Sequence, residues 1–376
     1  MTSADEKLND RLEHENLIDQ LEEVIASRDI GHRAIILRRV TDLFVLGSGR
    51  LSAEQIALFD DVMGRLVEQI ETAARATFGN VLAMLPDAPP KVLRRLALDD
   101  EIHVAGAILS HSGRVDDSTL VEGAKTKSQA HLLAISQRKA LDQSVTDVLV
   151  ERGNQVVVFS TARNPGAAFS EFGYSTLVRR SLNDGDLAAC VWSRPEIPRQ
   201  HLLKLFADAS EVVKRDLIKM DPRKASIILE VVAQAANQIQ ERTRKQSRNY
   251  TIAYARVQSL HEAGVLGETQ LTEFASKGKF EETTVALSMI CDLPIDLIER
   301  AFVDGRSEQI IVLAKASGLS WETTKAVLLM QARTKNTVNH QFDQHFETFA
   351  RLKPETAKKA INFYRMRERA VKPRPN

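Results

Sequence analysis

Residues 134–168 read AISQRKALDQSVTDVLVERGNQVVVFSTARNPGAA, and this stretch decides the fold. Leu141 and Ala167 lie 26 residues apart in equivalent surroundings. Seven residues before each stands a compact side chain, Ala134 or Ser160, and three residues before each a polar head, Arg138 or Asn164. The triplet Asn164-Pro165-Gly166 is turn-forming, and Asp142, directly after Leu141, is a residue type favoured at a helix N-cap. Each unit therefore predicts a helix whose small residue permits close packing, a tight turn, an inserted apolar anchor and a second helix.

The same columns recur at three further anchors. Ile197 follows Cys190 and Arg194-Pro195-Glu196 and precedes Pro198. Leu293 follows Ala286 and precedes Pro294. Leu319 follows Val312 and Ala316-Ser317-Gly318 and precedes Ser320. The spacing is 30 residues from Ala167 to Ile197 and 26 from Leu293 to Leu319; Val104, after Ala97, reads as an earlier and looser copy. Helix pairs at this pitch cannot bury their apolar faces alone, so they are expected to stack. The β-branched runs Val156–Val158 and Ile310–Val312 sit inside longer helical patterns. The expected fold is all-α, built of HEAT-like stacked helix pairs in a solenoid-like arrangement, in two helical domains.

Upstream, Ser52-Ala53-Glu54-Gln55 has the form of a capping box. Behind it Phe59, Met63, Leu66, Ile70, Ala73, Thr77, Val81 and Leu85 recur at steps of three and four, predicting one long amphipathic helix ended by Pro86 and Pro89-Pro90. The expected organisation is a disordered acidic N-terminus (1–14), N-terminal helices (15–88), helical repeats (89–210), a connecting helical region with a basic cluster (211–250), a second repeat domain (251–345) and a basic C-terminal helix and tail (346–376).

A 376-residue chain with 43% hydrophobic and 27% charged residues is globular in composition. Its net charge of +1 gives no global field toward nucleic acid or an anionic membrane. The ends differ: Met1–Ile30 carries nine acidic against three basic residues, and Ala350–Asn376 nine basic against two acidic, so the two could dock on one another. The two cysteines, Cys190 and Cys291, lie in apolar helical stretches, which fits a reducing compartment. No apolar run reaches the ~18 residues of a spanning helix and no leader pattern opens the chain, so the expected location is the cytoplasm.

The stretches Leu96–Asp99, His103–Ala105, Ile135–Arg138, Asp147–Val150, Ala162–Ala167, Arg194–Pro198 and Leu313–Trp321 resemble the bacterial domain of unknown function 2336, a family mainly of alphaproteobacteria. The resemblance runs from Arg33 to Val338. It implies an all-helical, HEAT-like cytoplasmic protein and no particular reaction.

No stretch assembles a catalytic constellation, a metal site or a cofactor-binding motif. His340 and His345 bracket Asp343, but five residues turn a helix by about 500°, which splays the imidazoles by about 140°. Asp60-Asp61 and Asp99-Asp100-Glu101 suit helix starts and exposed faces. Gly264 and Gly267 fit a turn and no phosphate loop. His131, a lone histidine on a helix, reads as structural. Arg138, Asn164 and Arg194 share one column. They either brace the turns by donating to carbonyls at helix ends or form a donor ladder that receives an acidic peptide or phosphate. Arg242, Arg244, Lys245 and Arg248 form a basic cluster that could grip phosphates, with Tyr250, Phe363 and Tyr364 available for stacking.

The expected function is a non-enzymatic scaffold or regulator whose partner is another protein. One alternative is a nucleic-acid-binding protein using the cluster at 242–248. A second is an enzyme with a nonstandard site between the helical halves, in which Asp99, His103 or His131 would converge. Partner identity and oligomeric state are not legible at this level.

Overall fold

The computed structural model describes residues 30–68, 70–335 and 342–371. Among these the chain forms 21 α-helices and no strand, so the fold is all-α. It divides into two compact units, the first ending at Gly173 and the second beginning at Tyr174. The acidic N-terminal stretch, His340 and the tail from Lys372 to Asn376 lie outside the described residues.

The first unit contains α1 (Ile30–Gly47), α2 (Ala53–Val67), α3 (Thr72–Ala83), α4 (Pro90–Ala97), α5 (Ile102–His111), α6 (Asp117–Thr126), α7 (Gln129–Ser136), α8 (Gln143–Arg152) and α9 (Gln155–Arg163). Each helix packs on the next but one: α1, α3, α5, α7 and α9 form one row, and α2, α4, α6 and α8 the other. The seam is fully buried, with Val104, Ile108 and Leu109 from α5, Leu132 and Ile135 from α7, and Val145, Leu149 and Val150 from α8. Each such side chain contributes roughly 1.5–3 kcal/mol relative to exposure. Small residues let the rows close: Ser136 Oγ and Ser160 Oγ meet at 2.7 Å where α7 lies on α9.

Ser52 starts α2 through the capping box, its Oγ accepting from the Gln55 N–H at 3.2 Å while Gln55 Oε1 accepts from the Ser52 N–H at 2.8 Å. The long helix expected after it is two helices. The apolar spacing runs on in phase, yet Glu71 adopts extended backbone (ψ 149°) and starts α3. Arg75 Nη1 holds the freed carbonyl of Ile70 at 2.8 Å while its Nε pairs with Asp99 at 2.9 Å. α2 packs on α4 and α3 on α5, so the break places one continuous stripe in two rows. Val104 is also placed differently from expectation, inside α5 and not in a connection.

The second unit begins within α10 (Glu171–Arg180). It contains α11 (Gly185–Trp192), α12 (Arg199–Met220), α13 (Ala225–Gln246), α14 (Arg248–Glu262), α15 (Glu268–Ser276), α16 (Phe280–Cys291), α17 (Ile295–Asp304), α18 (Ser307–Ala316), α19 (Trp321–Lys335), α20 (Phe342–Arg351) and α21 (Pro354–Val371). Its core gathers Val257, Phe274, Leu287, Ile298, Phe302, Ile311 and Leu328. α14 packs on α16, α15 on α19, and α18 on both α20 and α21. The two longest helices, α12 and α13, pair with one another across the break Asp221-Pro222, where proline cannot continue the helix.

All five anchors fall in connections between consecutive helices: Leu141, Ala167, Ile197, Leu293 and Leu319. Leu141, Ala167, Leu293 and Leu319 are buried.

Candidate functional site

The residues singled out by the repeat columns are drawn into the connections. Arg138 Nη1 and Nη2 donate to the carbonyls of Leu109 and Ser112, both at 2.7 Å, at the end of α5. Asn164 Nδ2 donates to the carbonyls of Ser136 and Arg138 at 2.9 and 2.7 Å, at the end of α7, and its Oδ1 accepts from the Gly166 N–H at 2.8 Å. Both side chains thus satisfy carbonyls that a helix C-terminus leaves without intrahelical partners. Arg194 is buried and pairs with Glu196 two residues on.

The other polar candidates are held locally too. Asp60 is buried and accepts from the N–H groups of Lys91 and Val92 at 2.9 and 2.8 Å, capping α4 from a neighbouring helix. Asp61 pairs with Lys91, which holds its carboxyl below the usual range. His131 Nε2 lies 3.0 Å from the Asp99 carbonyl; since a carbonyl only accepts, Nε2 carries the proton and Nδ1 accepts from Ser128 Oγ at 2.8 Å. Burial holds the pKa of His131 below the ordinary imidazole value. His131 thus meets Asp99 through the backbone, the Asp99 carboxylate faces Arg75, and His103 is exposed. Gly264 takes φ +69° at the end of α14 and Gly267 precedes α15, a turn geometry. His345 is buried, Asp343 is exposed, and no group of metal-ligating side chains occurs among the described residues.

The basic cluster separates. Arg242, Lys245 and Arg248 are exposed, and Lys245 pairs with Glu241 at 2.7 Å. Arg244 turns inward and joins a buried polar cluster that the sequence reading missed. At its centre Glu299 of α17, fully buried, accepts from Arg199 Nη1 at 2.6 Å and from Gln240 Nε2 at 2.7 Å. Arg199 Nη1 also donates to Glu281 Oε2 at 3.1 Å, and Arg244 pairs with Asp296. Both guanidinium groups lie over the Tyr250 ring, 5.5 and 5.9 Å from its centroid. The cluster joins α12, α13, α14, α16 and α17 around one carboxylate.

Electrostatics divide the two glutamates. Glu299 is the principal counterion of Arg199 and raises its pKa against burial. Burial pushes Glu281 up to about 7, an effect that Arg199 only partly offsets. A buried ion network of this kind is weak evidence for net stability. The signal available in the sequence was Glu299 beside the apolar residues Ile298, Phe302 and Val303.

The outer part of the α12–α13 hairpin has a different character. From Phe206 to Ile239 no side chain is buried, while Val213, Leu217, Met220, Ile227, Leu229 and Val231 are exposed. Lys214, Ile218, Ile228 and Val232 are half-buried along the seam between the two helices. At 100° per residue, Val213, Leu217 and Met220 fall on one flank of the α12 seam, and Ile227 and Val231 on the corresponding flank of α13. In an antiparallel pair these flanks form one face; Leu229 lies on the other.

The chain belongs to the family described as an uncharacterised protein conserved in bacteria (DUF2336), whose model matches residues 104–362. No curated protein is detectably similar to it. No solved structure is detectably similar either. Among the described residues no helix is long and apolar enough to cross a membrane.

Proposed function

We propose that this protein is a non-enzymatic, cytoplasmic interaction scaffold, with a HEAT-like stack of helix pairs as its rigid support and another protein as its partner. The observation that carries this reading is the apolar face of the α12–α13 arm. Val213, Leu217, Met220, Ile227 and Val231 stand together on it, and among the described residues of the second unit no helix packs over them. Contiguous apolar patches of this kind mark interaction surfaces. The next-but-one packing of the first unit supports the stacked-pair reading, because each helix pair there buries its apolar faces only against its neighbours. The donors first considered as a phosphate ladder, Arg138 and Asn164, serve backbone carbonyls in the stack.

The test is affinity capture by the full chain from native cytoplasm, with mass spectrometry, at low and physiological salt and with nuclease treatment. A protein that survives salt and nuclease, and is lost when Met220→Glu and Ile227→Glu are combined, is the expected outcome. Recovery of nuclease-sensitive material alone would overturn the reading in favour of nucleic acid held by Arg242, Lys245 and Arg248.

A further inference from the structure

We infer that the partner seated on the arm is a second copy of this chain, and that two arms close face to face into a four-helix bundle. This inference rests on the reading of the arm as a protein-docking face. At 22 residues each, α12 and α13 extend about 33 Å at 1.5 Å per residue. Their bases pack against α17, while among the described residues of the second unit their outer halves pack on each other. Two helices bury one seam between them, and among the described residues of the second unit no helix covers a second.

The second seam has the form that a bundle requires. Val213, Leu217 and Met220 recur at i, i+4 and i+7, and Ile227 and Val231 at i and i+4, the spacing of core positions in antiparallel bundles. Met220 is 82% exposed, Ile227 60% and Val231 57%, whereas the core positions of a closed bundle are buried. The occupant must bring two helices with a matching apolar stripe, and a two-fold axis supplies them from the same surface.

Area and charge agree. The five side chains expose on the order of 500 Å² per copy, so a symmetric pair would cover about 1,000 Å², the threshold of a specific interface. From Glu211 to Ala235 the arm carries four acidic and five basic residues, so two copies of it repel each other little. The remaining large apolar side chain, Leu229, faces the opposite flank and provides an internal control.

Sedimentation equilibrium of the full chain at tens of micromolar tests the inference. The expected result is a species of twice the 41.9 kDa chain mass. Combining Met220→Glu with Ile227→Glu is expected to give one chain mass with unchanged helical circular dichroism, while Leu229→Glu leaves the doubled mass. A wild-type chain that stays at one chain mass overturns the inference, as does a doubled mass that persists in the double variant. If the wild type is single but the double variant loses a captured protein, the docking face stands and the second copy is excluded. If neither assembly nor capture depends on these residues, both readings fall.

Discussion

Leu141 and Ala167 pair their backbones as an isolated parallel bridge between two helix connections. The Leu141 N–H donates to the Gly166 carbonyl, and its carbonyl accepts from the Ala168 N–H, both at 3.0 Å. Between these two anchors the column is thus a hydrogen-bonded register as well as an apolar one. One connection lies directly on the next, and the residues beside the anchors take their roles from that contact.

Gly166 is required by this approach. A Cβ there would stand 1.9 Å from the Lys139 carbonyl oxygen, so the backbone would have to move apart and the bridge open. Gly166→Ala is expected to cost at least ~2–3 kcal/mol, in the range of other strain and packing failures. Urea denaturation of the variant measures it, and an unchanged midpoint would refute the role given to the contact.

Arg138 holds the carbonyls of Leu109 and Ser112, at the end of α5, with a two-pronged fork. Arg138→Ala is expected to destabilise by ~2–4 kcal/mol, since the half-buried carbonyls lose charged donors. Arg138→Lys should recover less than half of that, because an ammonium cannot reproduce the fork. Equal stability of the alanine variant and the wild type would return Arg138 to the role of a ligand-facing donor.

Glu281 makes stability pH-dependent. Its folded-state pKa of about 7 lies above the ordinary glutamate value of 4.5, so the protonated form favours the folded chain. The contribution is complete below the unfolded value and is lost as pH rises through about 7. Chemical denaturation at pH 5 and at pH 8 should show a fall on the order of 2–3 kcal/mol from this group. Glu281→Gln should flatten that slope; the same slope in the variant would remove Glu281 as its source.

Glu299 behaves differently, because it is the shared counterion of the cluster. Glu299→Gln leaves Arg199 and Arg244 buried with less compensating charge, and removing one partner of a buried pair costs roughly 3–5 kcal/mol. Thermal unfolding should therefore rank Glu299→Gln well below Glu281→Gln at pH 8. The reverse order would mean that Glu281 carries the charge pairing.

The sequence already contained much of this. The Ser52 capping box and the five anchors were legible because turn residues and caps act over three or four positions. The break between α2 and α3 was not, because Ile70, Ala73 and Thr77 continue the stripe of Phe59, Met63 and Leu66 in phase. Only the tertiary bonds of Arg75 to Ile70 and Asp99 reveal it. The ionic cluster was hidden for a related reason: Arg199 meets Glu281 and Glu299 at sequence separations of 82 and 100 residues. The basic run at 242–248 looked uniform, yet helical rotation sends Arg244 inward and leaves its neighbours in water. The spacing of Val213, Leu217 and Met220 was visible, but that no described helix of the second unit covers them was not.

Hydrogen exchange along α12 and α13 of the full chain, at tens of micromolar and after strong dilution, tests the central claim most directly. A two-helix arm packed only on itself opens at small free-energy cost, whereas a closed bundle protects its amides. Amides of 213–231 are expected to exchange slowly in the concentrated sample, and to lose that protection on dilution and in the Met220→Glu, Ile227→Glu variant. Fast exchange over 213–231 at every concentration, equal in wild type and variant, would contradict it.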